Sequence, residues 1–130
     1  MSYRKGADAE RRLIKLLRKR GYECVRVAGS GRARFEQPDI LASNGGRVIC
    51  IECKFVNKDV LYVSKEEIDA LKRFATRFGC EPMLAVQFRR KWRFWKVGKL
   101  RGKGTSGWNP INPQLPRIYE DVEHYHQQEE

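Results

Sequence analysis

At 130 residues the chain has the size of one domain with a single core. Its 27 lysines and arginines against 16 acids leave a net charge of +11, which suits a polyanionic partner. No apolar run approaches the roughly 20 residues that a membrane-spanning helix needs, and Arg4, Lys5, Arg11 and Arg12 interrupt any signal-peptide-like start, so a cytoplasmic protein without a membrane partner is expected.

The charge is unevenly spread. All but one of the 27 basic residues precede Trp108, while five of the 16 acids follow it. A basic body with an acidic tail fits nucleic acid better than a membrane surface. Charge alone would equally suit a general RNA-binding protein. The function must therefore be sought in particular residues.

Residues 4–20 read as a helix ending at Gly21, a C-terminal cap signal. Ala7, Leu13, Ile14 and Leu17 form its apolar stripe. At about 100° per residue, Glu10 falls inside that stripe, between the directions of Leu13 and Ile14. A carboxylate on a buried face needs a partner. Either Glu10 points at a charged site on the sheet, or it sits at the margin of the stripe paired with an arginine.

Glu23–Val27 reads as the first strand, with Val25 and Val27 on one face. Gly29–Gln37 reads as a loop, and its Arg32 and Arg34 are placed to grip phosphate. Then come two short apolar runs, Asp39–Ala42 and Val48–Ile51, around Asn44-Gly45-Gly46. Two glycines between alternating runs signal a two-residue hairpin loop. If Gly45 and Gly46 form the loop, Asn44 pairs with Arg47, and counting outward sets Asp39 opposite Glu52. Directly opposed side chains lie roughly 4.5–5.5 Å apart at Cβ. Lys54, two residues on, shares the face of Glu52.

Pro38-Asp39 followed by Glu52-Cys53-Lys54 thus gathers two carboxylates and an ammonium at one place. Two carboxylates about 4 Å apart repel by about 4 kcal/mol at an effective dielectric near 20. A cation between them reverses the sign. Hard oxygen ligands favour Mg²⁺, which can activate water and neutralise charge developing on a phosphate. Lys54 can either lower the pKa of the attacking water or stabilise the pentacovalent phosphorus. The pattern points to metal-assisted hydrolysis of a phosphodiester. The plain alternative is a surface ladder of mixed charges on an antiparallel strand.

Further on, Ser64-Lys65-Glu66-Glu67 has the capping-box pattern, so a second helix starts there. Ile68, Leu71, Phe74, Ala75 and Phe78 form its apolar face, and Gly79 ends it. Met83–Phe88 and Trp92–Val97 read as two more strands. Residues 98–116 are rich in Gly and Pro and are expected to be irregular, leading into the acidic tail of a single domain covering 1–130. The four cysteines suit a reducing compartment with free thiols. Cys50 and Cys53 have C-x-x-C spacing, but three apart in a strand they point to opposite faces, which argues against a shared zinc. Strands alternating with helices imply an α/β fold with a central mixed sheet flanked by helices.

Several of these segments carry a family resemblance. They are Tyr3-Arg4-Lys5-Gly6-Ala7 leading to Glu10-Arg11, Arg26 followed by Ala28-Gly29-Ser30, Pro38-Asp39, Ile51-Glu52-Cys53-Lys54, Leu61-Tyr62-Val63 and Arg77-Phe78-Gly79. Across roughly residues 3–95 the chain resembles the archaeal Holliday junction resolvases, members of the restriction-endonuclease-like nuclease superfamily. The resemblance implies a restriction-endonuclease-like core with a five-stranded sheet. It also implies a homodimer that cuts four-way junction DNA in paired, symmetric incisions with Mg²⁺, Mn²⁺ being able to substitute.

Within that family pattern, Glu10, Asp39, Glu52 and Lys54 match the catalytic core, with the Cys53 carbonyl as a further metal ligand. Ser30 matches a serine in a mobile active-site loop. Arg11 and Arg26 match basic positions on the DNA side, next to Arg4 and Lys5, and Phe74 and Phe78, beside Leu71, match a helix tied to dimer integrity. The stretch Gly31–Gln37 is longer than the family's usual loop. Two rival functions remain: a duplex-acting restriction or repair endonuclease of the same fold, and a non-catalytic nucleic-acid-binding module.

Overall fold

A computed structural model of the chain describes residues 3–29, 36–57, 61–89, 91–97 and 109–111. The elements in chain order are α1 (Tyr3–Lys19), β1 (Glu23–Arg26), β2 (Ile40–Ser43), β3 (Val48–Val56), β4 (Leu61–Val63), α2 (Lys65–Phe78), β5 (Glu81–Phe88), β6 (Lys91–Lys96) and β7 (Asn109–Ile111).

Both helices end as their glycines predict. After α1, Gly21 adopts φ +91°, its N–H donates to the Arg18 carbonyl, and the Tyr22 N–H donates to the Leu17 carbonyl, each at 3.1 Å. These bonds satisfy carbonyls that the helix end would leave orphaned. After α2, Gly79 at φ +85° and Cys80 both donate to the Ala75 carbonyl. At the other end of α2, Ser64 and Glu67 form the expected capping box.

Five strands make a sheet in the order β1-β2-β3-β5-β6. Only β3 and β5 run parallel; the other neighbours are antiparallel. A parallel pair needs a crossover, and the segment containing α2 supplies it. The β2–β3 hairpin has the register expected from its loop: Asn44 N–H donates to the Arg47 carbonyl at 3.1 Å, and Ile40 pairs with Ile51. The Asn44 side chain accepts from the N–H groups of Gly46 and Arg47, closing the turn.

The sheet is covered on both faces. On one, Leu13 and Leu17 of α1 pack with Ile40, Ile49, Ile51, Met83, Ala85 and Phe94. On the other, Ile68, Leu71 and Ala75 of α2 pack with Cys50, Leu84, Val86 and Trp95. Cys50 and Cys53 belong to opposite faces, as strand alternation requires. All four cysteines are free thiols. No helix among the described residues is long and apolar enough to cross a membrane.

Three expectations change. The first strand ends at Arg26, one residue short of Val27; its Val25 side is exposed (61%), while Cys24 and Arg26 turn inward. The β1 strand is an edge, and its inward position is taken by an arginine that meets a carboxylate of α1. Phe78, assigned to the apolar face of α2, is 55% exposed and stacks on Phe74 with ring centroids 5.1 Å apart. Leu71 is plainly core. Finally, Asn109–Ile111 lies in the stretch expected to be irregular, yet it pairs antiparallel with β4. A three-residue strand containing a proline has no periodicity to reveal it, and proline is tolerated on such an edge. The remaining residues of 98–130 lie outside the described set.

Candidate active site

The chemistry collects where the sheet opens. On its β2 side, β3 is paired only over Val48–Ile51, whereas on its β5 side the ladder continues to Val56. The last backbone bond to the β2 side runs from the Asp39 N–H to the Ile51 carbonyl at 3.0 Å, and the Asp39 carbonyl accepts from Val27 N–H at 2.8 Å. Beyond that point Cys53 N–H has no strand to meet on this side. The Asp39 carboxylate takes its place, accepting from Cys53 N–H at 2.8 Å. Asp39 is thereby locked beside Glu52, its register partner by continuation of the Ile40–Ile51 pair.

Glu10 reaches the same region from α1. It is half-buried and accepts from Arg26 Nε at 2.7 Å. Both readings of Glu10 from the sequence are therefore true at once: it is paired with an arginine, and it lies close enough to Asp39 and Glu52 to feel their charge. Lys54 Nζ lies 3.9 Å from Glu52 Oε2 and donates to Glu67 Oε1 on α2.

The electrostatics follow from this crowding. Burial pushes the Glu52 carboxyl up to about 8; Asp39, Glu67 and Glu10 push the same way, and Lys54 opposes them. Burial also raises the Glu10 carboxyl, with the Arg26 bond pulling back and Asp39 adding to the rise. Burial works against the Lys54 ammonium, but the bond to Glu67 and the fields of Glu52, Glu67 and Asp39 outweigh it, so its pKa is raised. Burial likewise works against the Glu67 carboxylate, yet Lys54 and the Ser64 cap hold its pKa low. The region carries more negative charge than its cations balance, and Glu52 bears the deficit.

That deficit is what a divalent cation would correct. Glu10, Asp39 and Glu52 are hard oxygen donors of the kind that Mg²⁺ takes. In the arrangement seen, each is committed elsewhere: Glu10 to Arg26, Asp39 to Cys53 N–H, Glu52 toward Lys54. Among the described residues no three His, Cys, Asp or Glu side chains close into a ready-made metal cage. The three carboxylates feel one another's charge but bond to different partners.

The other expected site residues fall as follows. Arg11 is exposed on α1 and bonds Asp8 at 3.2 Å. Arg4 and Lys5 belong to the first turn of α1, and their side chains lie outside the described set. Ser30, Arg32 and Arg34 also lie outside the described residues. Glu67, read from the sequence only as part of the helix cap, also meets Lys54. Its position in the capping box accounted for it fully, and nothing in the pattern Ser64-x-x-Glu67 signals a partner on β3.

The chain is similar to known proteins over most of its length. A family model described as archaeal Holliday junction resolvase (hjc) matches residues 1–114. The crossover junction endodeoxyribonuclease Hjc of Archaeoglobus fulgidus is 43% identical over 97 residues, covering 74% of this chain and 71% of the relative. The Hjc of Sulfurisphaera tokodaii is 36% identical over 107 residues, covering 81% of this chain and 73% of that one. The 1.6 Å resolution structure of A. fulgidus Hjc, a Holliday junction resolvase from an archaeal hyperthermophile, superposes with a TM-score of 0.78 at 36% identity, covering 91% of this chain and 98% of the other. With a mixed five-stranded sheet of the Hjc type and a family match over most of its length, this chain belongs to the archaeal Holliday junction resolvase family.

Proposed function

We propose that this protein is a structure-selective endodeoxyribonuclease that resolves four-way DNA junctions by paired, Mg²⁺-dependent phosphodiester hydrolysis, acting as a homodimer in recombination and repair. The observation that carries this reading is the meeting of Glu10, Asp39 and Glu52, from three separate elements, beside Lys54. A binding module would have no need to gather these three carboxylates beside a lysine.

Glu10, Asp39 and Glu52, with the Cys53 carbonyl, would hold the ion. The bound ion supplies Lewis acidity toward the phosphate and a more acidic water. Lys54 places a fixed positive charge where negative charge grows during in-line attack. Arg26, bonded to Glu10, would add positive charge on the DNA side of the site. Ser30 would orient the scissile phosphate, and the basic residues Arg4, Lys5, Arg11, Arg32 and Arg34 would hold the arms by their backbones. The stacked Phe74 and Phe78, flanked by Lys72, Arg73 and Arg77, offer an apolar face for a second copy. A two-fold axis would then present two sites to opposite strands.

The test is a cleavage assay on a synthetic four-way junction and on linear duplex of the same sequence, with Mg²⁺ and with chelator, mapping cuts on every strand. Symmetric paired cuts on the junction alone, lost with chelator, are expected. Equal cutting of the duplex would point to a restriction or repair nuclease of the same fold. Binding without cutting would leave only a DNA-binding module.

A further inference from the structure

Glu67 is the third residue of α2 and meets the requirement of a capping box with a single oxygen. Its Oε2 accepts from the Ser64 N–H and hydroxyl, each at 3.2 Å, and Ser64 Oγ accepts from Glu67 N–H at 3.1 Å. Glutamine serves a capping box as well as glutamate does, so the cap needs neither the charge nor the second oxygen. That second oxygen, Oε1, accepts from Lys54 Nζ. It approaches the ammonium more closely than Glu52 does at 3.9 Å.

Lys54 is a long, flexible side chain projecting from the part of β3 that has no β2 neighbour. A lysine that must present its charge to a reacting phosphate needs its rotamer held by something rigid. The α2 N-terminus is such an anchor, because Ser64 fixes the Glu67 side chain through two donors and the helix is packed on the sheet by Ile68, Leu71 and Ala75.

We propose that Glu67 is a positioning residue of the nuclease site, transmitting the order of the α2 cap to Lys54 through the second oxygen of its carboxylate. This rests on the reading of Lys54 as a catalytic residue. The chain of contacts is Ser64 to Glu67 to Lys54 to Glu52. It ties the capped end of the crossover helix to the acid that carries the greatest electrostatic load.

The test uses the full chain with Mg²⁺ and a synthetic four-way junction, comparing Glu67→Gln, Lys54→Ala and the double variant. In Glu67→Gln the amide oxygen keeps the cap, while the amide N–H₂ faces Lys54 in place of an acceptor. The expected result is an unchanged melting temperature, unchanged KM and junction affinity, and a kcat lower by about ten- to a hundredfold, the size typical of losing an outer-shell partner at a metal site. In the Lys54→Ala background, Glu67→Gln should cost nothing further, since the two act in series. If Lys54→Ala leaves kcat intact, the nuclease reading of Lys54 fails and takes the proposal with it. If Lys54→Ala collapses kcat but Glu67→Gln keeps it within about twofold, Glu67 is only a cap and the positioning role is overturned. A kcat loss that comes with a matching fall in melting temperature, or that repeats in full in the double variant, overturns it as well.

Discussion

The two halves of β3 share one backbone and one parallel ladder with β5, yet they do opposite work. In the first half, Ile49, Cys50 and Ile51 are fully buried, with β2 on one side and β5 on the other. In the second half, Glu52 to Val56 are half-buried and have lost β2. The first half is closed and apolar, and it contributes stability. The second has an open edge, and there Glu52 and Lys54 stand among the half-buried side chains. The candidate site sits where the sheet runs out of strands, where charged groups can approach one another and still be reached from outside.

The sharpest way to break that contrast is Asp39→Asn. The amide keeps an oxygen that can accept from Cys53 N–H, so the fold should hold. The lost charge should lower cleavage by roughly a thousandfold or more, while a gel shift still shows junction binding. Loss of binding with normal specific activity of the bound fraction would contradict the assignment. On the closed half, Ile51→Ala should cost about 2–5 kcal/mol of stability. It should leave the rate per folded molecule near that of the parent, seen by pairing a denaturant melt with single-turnover cleavage.

Protonation offers a finer test. The Glu52 carboxyl is raised to about 8 in the folded protein from an ordinary value of 4.5. Between these values the folded state holds a proton that the unfolded state has released. Stability therefore falls as pH rises through this window and levels off above about pH 8. Glu52→Gln should remove that slope and leave the variant more stable than the parent at pH 8.5, by an amount of order 1 kcal/mol, while abolishing cutting. Identical pH dependence of the two melting curves would show that Glu52 does not carry the site's excess charge. The smallest effect belongs to the scaffold. Gly79→Ala places a Cβ at φ +85° and should cost about 1 kcal/mol, with cleavage unchanged.

Much of this was legible in the chain. Gly45-Gly46 sets the hairpin loop, and simple counting from it brings Asp39 opposite Glu52. The apolar period of α1 placed Glu10 toward the core, and the Ser64 and Gly79 signals bounded α2. Other features had no local signature. The pairing of Lys54 with Glu67 joins residues on different layers of the fold. Val25 faces outward while its neighbour Arg26 pairs with Glu10, and β7 pairs with β4 from far along the chain.

Short-range rules, such as turn closure, helix capping and the periods of strand and helix, depend on neighbours a few residues apart, so the sequence by itself determined the two helices, the strands of the main sheet and the hairpin register. Which partner each charge meets is settled by burial and by the fields of groups far off in the chain. Only the tertiary structure decided that Arg26 would hold Glu10, that Asp39 would replace a missing ladder bond, and that a helix cap would reach across to Lys54.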